Sequence, residues 1–385
     1  MGVSQRALSW FVGPDGVPGV SGFLLCASLS VSGALAGPLP PVIDLGLLPG
    51  APHAGLLKVY GEDLNDRLGA MQSNGIAFGD VDSDGFDDMI VGAPYATYAP
   101  GRSDYAGEVY VIFGSGQLAG TVVDLSNSVN SPRVARRLGR PWDLLGWAVT
   151  SSDVNGDGLD DVIVGARNAD TDDRGSTGEA FLIFGSPTLP GATLELHSSP
   201  ELDNVTRVWG SGPGDYLGTS VACGDVNGDG FDDAVLGAPG ISQAVPGLRT
   251  PGQVFVVYGS ETLVGGELDL GEPPGSWGES RIHETVAANR AGWSVAVSDV
   301  DNDGRGDVAI DAYAVDPSSR EGAGAASVVF GSALSPRLHG GSERLGGGRN
   351  HHMDPQHWDW AAYIGMVGGH ADAENLARDI QNFPK

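Results

Sequence analysis

Through most of the chain, apolar residues fall in short alternating or β-branched runs, separated by Gly, Pro, Asn and Asp. Leu145-Gly146-Trp147-Ala148-Val149, Leu217-Gly218-Thr219-Ser220-Val221 and Ala291-Gly292-Trp293-Ser294-Val295 each read as a strand, and each runs into an acidic turn. A second run follows the turn, as in Met89-Ile90-Val91-Gly92 and Val162-Ile163-Val164-Gly165. A third ends in an aromatic residue, Gly and Ser: Glu108 to Ser115, Glu179 to Ser186, Gln253 to Ser260 and Ala326 to Ser332. The spacing predicts a weaker fourth strand beginning near Asp124-Leu125, Glu195-Leu196 and Asp269-Leu270. Period-two alternation bounded by turn residues is the mark of half-buried strands, and helical spacing is absent from this part of the chain.

The acidic turns share one pattern. They open at Asp80, Asp153, Asp225 and Asp299, so successive copies lie 73, 72 and 74 residues apart (153−80, 225−153, 299−225). A constant period of this kind predicts one supersecondary unit per copy. A lone sheet of about four short strands has two open edges and cannot bury both faces, and radial stacking solves both problems. The fold class expected is therefore all-β: a β-propeller of four-stranded antiparallel blades, four of them bearing the motif. Val42-Ile43-Asp44-Leu45-Gly46 reads as an outer strand completing the last blade, and Leu57-Lys58-Val59-Tyr60-Gly61 matches Thr206-Arg207-Val208-Trp209-Gly210. The expected domains are a signal peptide at 1–36, the propeller at 42–332, and a Gly-rich linker with a non-repeat tail at 333–385.

Each turn follows Asp-x-[Asp/Asn]-x-Asp-Gly-x-x-Asp. Carboxylates crowded into nine residues repel one another unless a cation joins them, and a hard cation with six to eight oxygen ligands removes that cost. Positions 1, 3, 5 and 9 offer side-chain oxygens, position 7 offers a carbonyl, and Gly at position 6 permits the sharp turn. The candidate ligands are Asp80, Asp82, Asp84, Phe86 (carbonyl) and Asp88 in the first turn, and Asp153, Asn155, Asp157, Leu159 (carbonyl) and Asp161 in the second. They are Asp225, Asn227, Asp229, Phe231 (carbonyl) and Asp233 in the third, and Asp299, Asp301, Asp303, Arg305 (carbonyl) and Asp307 in the fourth. The acids at position 8, Asp87, Asp160 and Asp232, are read as solvated or outside the ligand shell. Calcium, one ion per loop and up to four, suits this donor set better than magnesium, which demands a stricter octahedron. Zinc would want His or Cys, which the loops lack. An EF-hand would place an acid at position 12, where Val91, Val164, Leu236 and Ile310 stand instead. One acidic turn would be unremarkable, because Asp and Gly favour turns. Four matching copies are not.

Composition points the same way. The chain has 385 residues, with 61 Gly, 24 Pro, and 49 Asp+Glu against 21 Lys+Arg, a formal charge of −28. So acidic a chain is unsuited to nucleic acid or an anionic membrane surface and suited to cations. Arg6, the apolar run Phe23 to Leu29 and Ala34-Leu35-Ala36 resemble a secretory signal, and no later stretch is apolar enough for a membrane span. A secreted or extracellular location is expected, cell surface included. Removal of Cys26 with the signal would leave Cys223 as a buried free thiol.

The segment from Phe78-Gly79 through the acidic turn to Gly92-Ala93-Pro94 resembles the FG-GAP repeat of integrin α-subunit propellers, and the resemblance covers roughly residues 42–332. It implies calcium in hairpin loops on one propeller face and roles in adhesion or in protein or glycan binding. That family usually builds seven blades, whereas four motifs occur here at a longer period. Gly-Ala-Pro also gives way to Gly165-Ala166-Arg167 and Asp311-Ala312-Tyr313. Either four blades close, or more chain is needed.

Other signals carry less. Arg305-Gly306-Asp307 spells an adhesive tripeptide, but Asp307 is committed to a loop. Asn204-Val205-Thr206 is a glycosylation pattern only in a eukaryotic secretory route. His351, Asp354 and His357 match no zinc spacing, and Glu374, Leu376, Ala377 and Ile380 fall at helical spacing in the tail. There is no nucleophile elbow, phosphate loop or zinc-protease helix. The expected function is a binding or adhesion module with structural calcium and an unidentified protein or glycan ligand, not an enzyme. Its candidate contact loops are 95–107, 167–178, 240–252 and 313–325. The alternative is an accessory or catalytic propeller domain of an extracellular hydrolase, lyase or toxin.

Overall fold

The computed structural model describes residues 56–334, apart from short breaks at 70–73, 98–103, 128–130, 132, 171–173, 192, 197–203, 241–251, 274–277, 284–289 and 316–322. These residues all lie in one compact unit, Met1–Pro336. The expected signal segment, the 42–47 strand and the tail beyond 334 fall outside the described residues.

The strands form as the alternation predicts. β1 (Lys58–Tyr60) comes first, followed by β2 (Ile76–Gly79), β3 (Asp88–Ala93), β4 (Glu108–Ile112), β5 (Val122–Asp124) and β6 (Val134–Leu138). The next unit holds β7 (Leu145–Ser152), β8 (Asp161–Ala166), β9 (Glu179–Ile183), β10 (Thr193–Glu195) and β11 (Val205–Trp209). The third holds β12 (Ser220–Gly224), β13 (Asp233–Ala238), β14 (Gln253–Val257), β15 (Gly266–Asp269) and β16 (Ser280–His283). β17 (Val295–Ser298), β18 (Asp307–Ala312) and β19 (Ala325–Val329) close the series.

Antiparallel pairing groups these strands into four blades: β2-β3-β4-β6, β7-β8-β9-β11, β12-β13-β14-β16 and β17-β18-β19. The weak strands β5, β10 and β15 are not the fourth strands of their own blades. β10 and β15 run parallel to β6 and β11, the outer strands of the preceding blades, and β5 runs parallel to β1 in the same manner. The true fourth strands are β6, β11 and β16. Two of them carry an arginine that reaches a buried glutamate on the third strand, Arg136 to Glu108 and Arg207 to Glu179. Charged residues there blurred the alternation.

The second and third blades each bury one face on the blade before and one on the blade after. Val149, Val221 and Val295, which begin this contact on the inner strands, are at most 6% exposed, while Ile76 at the same place in the first blade is 37% exposed. At the other end Val81, Val154 and Val226 are fully buried, and Val300 is 64% exposed. Separate apolar cores therefore fill the three junctions, and a fourth core seats the first blade on β1 and β5 through Val59, Val123 and Leu125.

The Gly of each Gly-Ala-Pro-like motif has a steric reason. A Cβ on Gly92, Gly165 or Gly237 would lie 2.0–2.1 Å from the carbonyl oxygen of Gly146, Gly218 or Gly292 in the next blade. Backbones meet there, and only glycine leaves room. Asp311 occupies this place in the fourth blade, and its carboxylate turns back to accept the Ser294 N–H at 2.6 Å.

Candidate metal centres

The four acidic turns join the inner strand of each blade to the second, so all lie at one end of the strands. Gly85, Gly158, Gly230 and Gly304 at position 6 have φ between 86° and 92°, the left-handed region that only glycine enters freely. That turn brings the position-1 carboxylate over the loop backbone. Asp80 accepts from the N–H groups of Asp84 at 3.2 Å and Gly85 at 3.0 Å, and Asp153, Asp225 and Asp299 repeat both bonds.

Position 9 does more than close the turn. Asp161 is fully buried and accepts the Val154 N–H at 3.0 Å and the Gly185 N–H at 2.8 Å, so one carboxylate ties its loop to the end of the third strand. Asp88, Asp233 and Asp307 make the same pair of bonds, to Val81 and Gly114, Val226 and Gly259, and Val300 and Gly331. Burial pushes the carboxyls of Asp88, Asp161 and Asp233 up to about 7, against the lowering by these N–H donors. At the last loop the Gly331 and Val300 N–H groups instead hold Asp307 below the ordinary carboxylate range.

Carboxylate oxygens of Asp80, Asp82 and Asp88 converge within 4.8 Å of one another, as do those of Asp299, Asp301 and Asp307. The acidic clusters of the first and last loops could therefore hold a metal ion through positions 1, 3 and 9. The middle loops carry Asn155 and Asn227 at position 3, whose side-chain oxygens accept the N–H groups of Asp157 and Asp229 at 2.9 and 2.8 Å. The position-5 carboxylates turn to the position-7 N–H, as Asp84 does to Phe86 at 2.9 Å. They lie outside the convergent groups. The donors are all oxygen, the chemistry a hard divalent cation requires.

At position 8, Asp87 is exposed, whereas Asp160 and Asp232 are half-buried and carry a second role. Asp160 accepts the Asp80 N–H at 2.9 Å, and Asp232 accepts from the Ser152 hydroxyl, so both link one blade to the blade before it. Their own N–H groups bond back to the carbonyls of Asp80 and Asp153 at 3.0 and 3.2 Å. Partners about eighty residues away left no trace in the local pattern. Cys223 is a free thiol as expected; burial raises it to about 11, and it lies 3.3 Å from the Thr150 hydroxyl.

At the opposite end of the strands lie groups that no sequence motif marks. Asp143 and Asp215 are buried in the turns before inner strands, accepting the N–H groups of Arg140 at 3.2 Å and Gly212. Burial raises them to about 7 and about 6. A carboxyl held near 6 instead of its ordinary value near 4 opposes folding by roughly 3 kcal/mol once ionised. Both folded values lie above the unfolded one, so their contribution is full below about pH 4 and is lost as pH rises through 6 to 7. In chelator the melting temperature is therefore expected to fall between pH 5 and pH 8, and Asp215→Asn should flatten that fall. Melting scans of both proteins across this range check it, and identical slopes would contradict it.

An arginine and a set of aromatic rings share that end. Arg167 packs on Trp147, Tyr216 and Trp293, and Tyr95 joins Tyr105 and Trp147 in a chain of ring contacts. Only the break of Gly-Ala-Pro at Arg167 hinted at this in the sequence.

Comparison with known proteins agrees with the repeat. The FG-GAP repeat family matches residues 74–112, 145–183 and 217–257, which contain the first three acidic turns. The chain is 32% identical over 198 residues to mouse phosphatidylinositol-glycan-specific phospholipase D, an alignment covering 50% of this chain and 21% of that protein. It is 26% identical to integrin alpha-PS2 of Drosophila melanogaster over 64% of this chain and 16% of that protein. With integrin alpha-4 of Xenopus laevis the identity is 27% over 66% of this chain and 20% of the relative. The chain thus spans about a fifth of the length of these relatives. Among the described residues no helix is long and apolar enough to cross a membrane. Three segments of this chain thus match the FG-GAP repeat, on blades whose loops and glycine crossings recur in register, and about two thirds of the chain is similar to integrin α subunits.

Proposed function

We propose that this protein is an exported, calcium-stabilised propeller that serves as a protein- or glycan-binding or adhesion module. The observation that carries the reading is the convergence of three carboxylates within 4.8 Å in the first and last loops. Calcium would be held by the oxygens of positions 1, 3, 5 and 9 and the carbonyl of position 7 in each loop, up to four ions in all. Its role is structural: it offsets repulsion among acids that the fold otherwise forces together, and the fold needs no chemistry from it.

Support for ligand binding comes from the other end of the blades. The connections 95–107, 167–178, 240–252 and 313–325 all leave from there, and their described parts carry Tyr95, Tyr105, Arg167 and Tyr313. Aromatic residues and arginine on loops held by a rigid scaffold are the usual makings of a recognition surface.

Calcium that binds the folded chain and not the unfolded one stabilises by about 2.7 kcal/mol per site at a hundredfold excess over Kd. The melting temperature is expected to rise by at least about 5 °C from chelator to millimolar calcium, and by less with magnesium. An unchanged midpoint would remove the metal from the reading. A second reading, an accessory or catalytic domain of an extracellular hydrolase, lyase or toxin, is favoured by the alignment to a fifth of phosphatidylinositol-glycan-specific phospholipase D. Cleavage of a glycosylated phosphatidylinositol by this chain alone would decide for it.

A further inference from the structure

We infer that Arg167 is the anion-recognising centre of a binding site for a short acidic saccharide, at the end of the blades opposite the acidic turns. The inference rests on reading the protein as a binding module and names the class of ligand.

Arg167 follows the last residue of β8, where the first and third blades have Pro94 and Pro239. Its guanidinium carbon lies 4.3 Å from the ring centre of Trp147, 5.2 Å from that of Tyr216 and 5.4 Å from that of Trp293. Three blades thus supply the walls around one cation. Its Nε is buried and has no hydrogen-bond partner among the described residues. Arg136, Arg174, Arg207 and Arg281 are each paired with a carboxylate, at Glu108, Asp269, Glu179 and Glu279. Among the described residues, Arg167 has aromatic rings where those arginines have an acid. The groups acting on its charge are Tyr216, Tyr95, Arg290 and Tyr313, and burial, the largest influence, lowers its pKa. A guanidinium stays charged under such conditions, and a buried Nε–H that meets no acceptor among the described residues leaves it under-satisfied. Two oxygens of a carboxylate fit its fork.

The repeat fixes where two of these groups stand: Leu144, Tyr216 and Arg290, each one residue before the leading Leu-Gly or Ala-Gly of its blade, share φ of 58°, 56° and 53°. The same turn in successive blades therefore presents Tyr216 to Arg167.

Exposed ring faces favour a saccharide over an acidic peptide. Trp142 is 58% exposed and stands edge-on to Tyr105, with centroids 5.4 Å apart, while Tyr105 in turn meets Tyr95. A flat sugar ring can lie on such faces while its carboxylate meets the fork, the mix of apolar walls and few polar groups typical of small-ligand sites. A formal charge of −28 repels a long polyanion, so a short uronate fits best.

The test uses the full chain with calcium, titrated with tri-galacturonate while tryptophan emission and heat are recorded, because Trp147 and Trp293 flank Arg167. Tri-galacturonate is expected to bind and shift the emission. Its methyl ester should bind at least about tenfold more weakly, as should Arg167→Met and Arg167→Lys toward the acid, since the bidentate contact is lost. Trp142→Ala, at an exposed position, should weaken binding severalfold at an unchanged melting temperature, and it decides the matter if the Arg167 variants do not fold. No binding of tri-galacturonate, equal binding of the ester, undiminished binding by Arg167→Met or Trp142→Ala, or tighter binding of tri-glutamate would each overturn the inference. Were calcium-dependent melting retained while saccharide binding failed, this site would fall and the calcium-stabilised module would stand.

Discussion

Gly165→Ala is expected to lower the melting temperature by about 10 °C or to prevent folding. The added methyl would sit 2.0 Å from the carbonyl oxygen of Gly218 and 2.8 Å from its carbonyl carbon, all backbone atoms of the next blade. Neither strand can yield alone, because β8 is hydrogen-bonded to β7 and β9 on both sides. Relief requires the second and third blades to separate, which opens a core containing Leu217, Leu236 and Phe255. Overpacking in a close-packed interior costs about 1–3 kcal/mol, and a backbone clash belongs at or above the top of that range. For a domain of this size each kcal/mol moves the midpoint by roughly 2–4 °C. Gly116→Ala is the control: it is exposed, and its nearest neighbour is the Phe86 ring at 3.9 Å. Thermal melts of the two variants side by side check the argument, and equal midpoints would refute it.

Asp161→Ala is expected to cost about 3–5 kcal/mol even in chelator, where no metal contributes. Two N–H groups, of Val154 and Gly185, lose their acceptor, and Val154 is fully buried. A buried donor left unmatched costs about 1–3 kcal/mol each. Asp161→Asn keeps one oxygen and should recover about half of the loss. Asp307→Ala should cost less than Asp161→Ala, because Val300 is 64% exposed and water can reach its N–H. Urea titrations of the three variants with and without calcium separate the structural part from the metal part. If Asp161→Ala were neutral in chelator and harmful only with calcium, the carboxylate would be a ligand and not a tie.

These variants also mark what could be read along the chain. The turns at Asp80, Asp153, Asp225 and Asp299 and the strands around them were legible because hydrogen bonds within nine residues, and burial on alternate positions, leave local signatures. The glycine at position 6 was legible for the same reason: its φ is a property of one residue. The tie from position 8 to the previous blade, the meeting of Gly165 with Gly218 and the cage around Arg167 were not. Each joins residues some twenty to one hundred and thirty positions apart, and periodicity tells which face of a strand is buried without telling what covers it.

Amino-acid order alone therefore determined the repeat, its oxygen-rich turns and the antiparallel blade, since these follow from nearest-neighbour sterics and short-range alternation. Only the tertiary structure decided that β10 and β15 join the outer strands of the preceding blades while β5 pairs with β1, that position 9 anchors the loop through two N–H groups, and that one arginine is walled by rings from three blades. Stacking sets those outcomes: when two blades press together, desolvation and excluded volume select among side chains that look interchangeable in a linear reading.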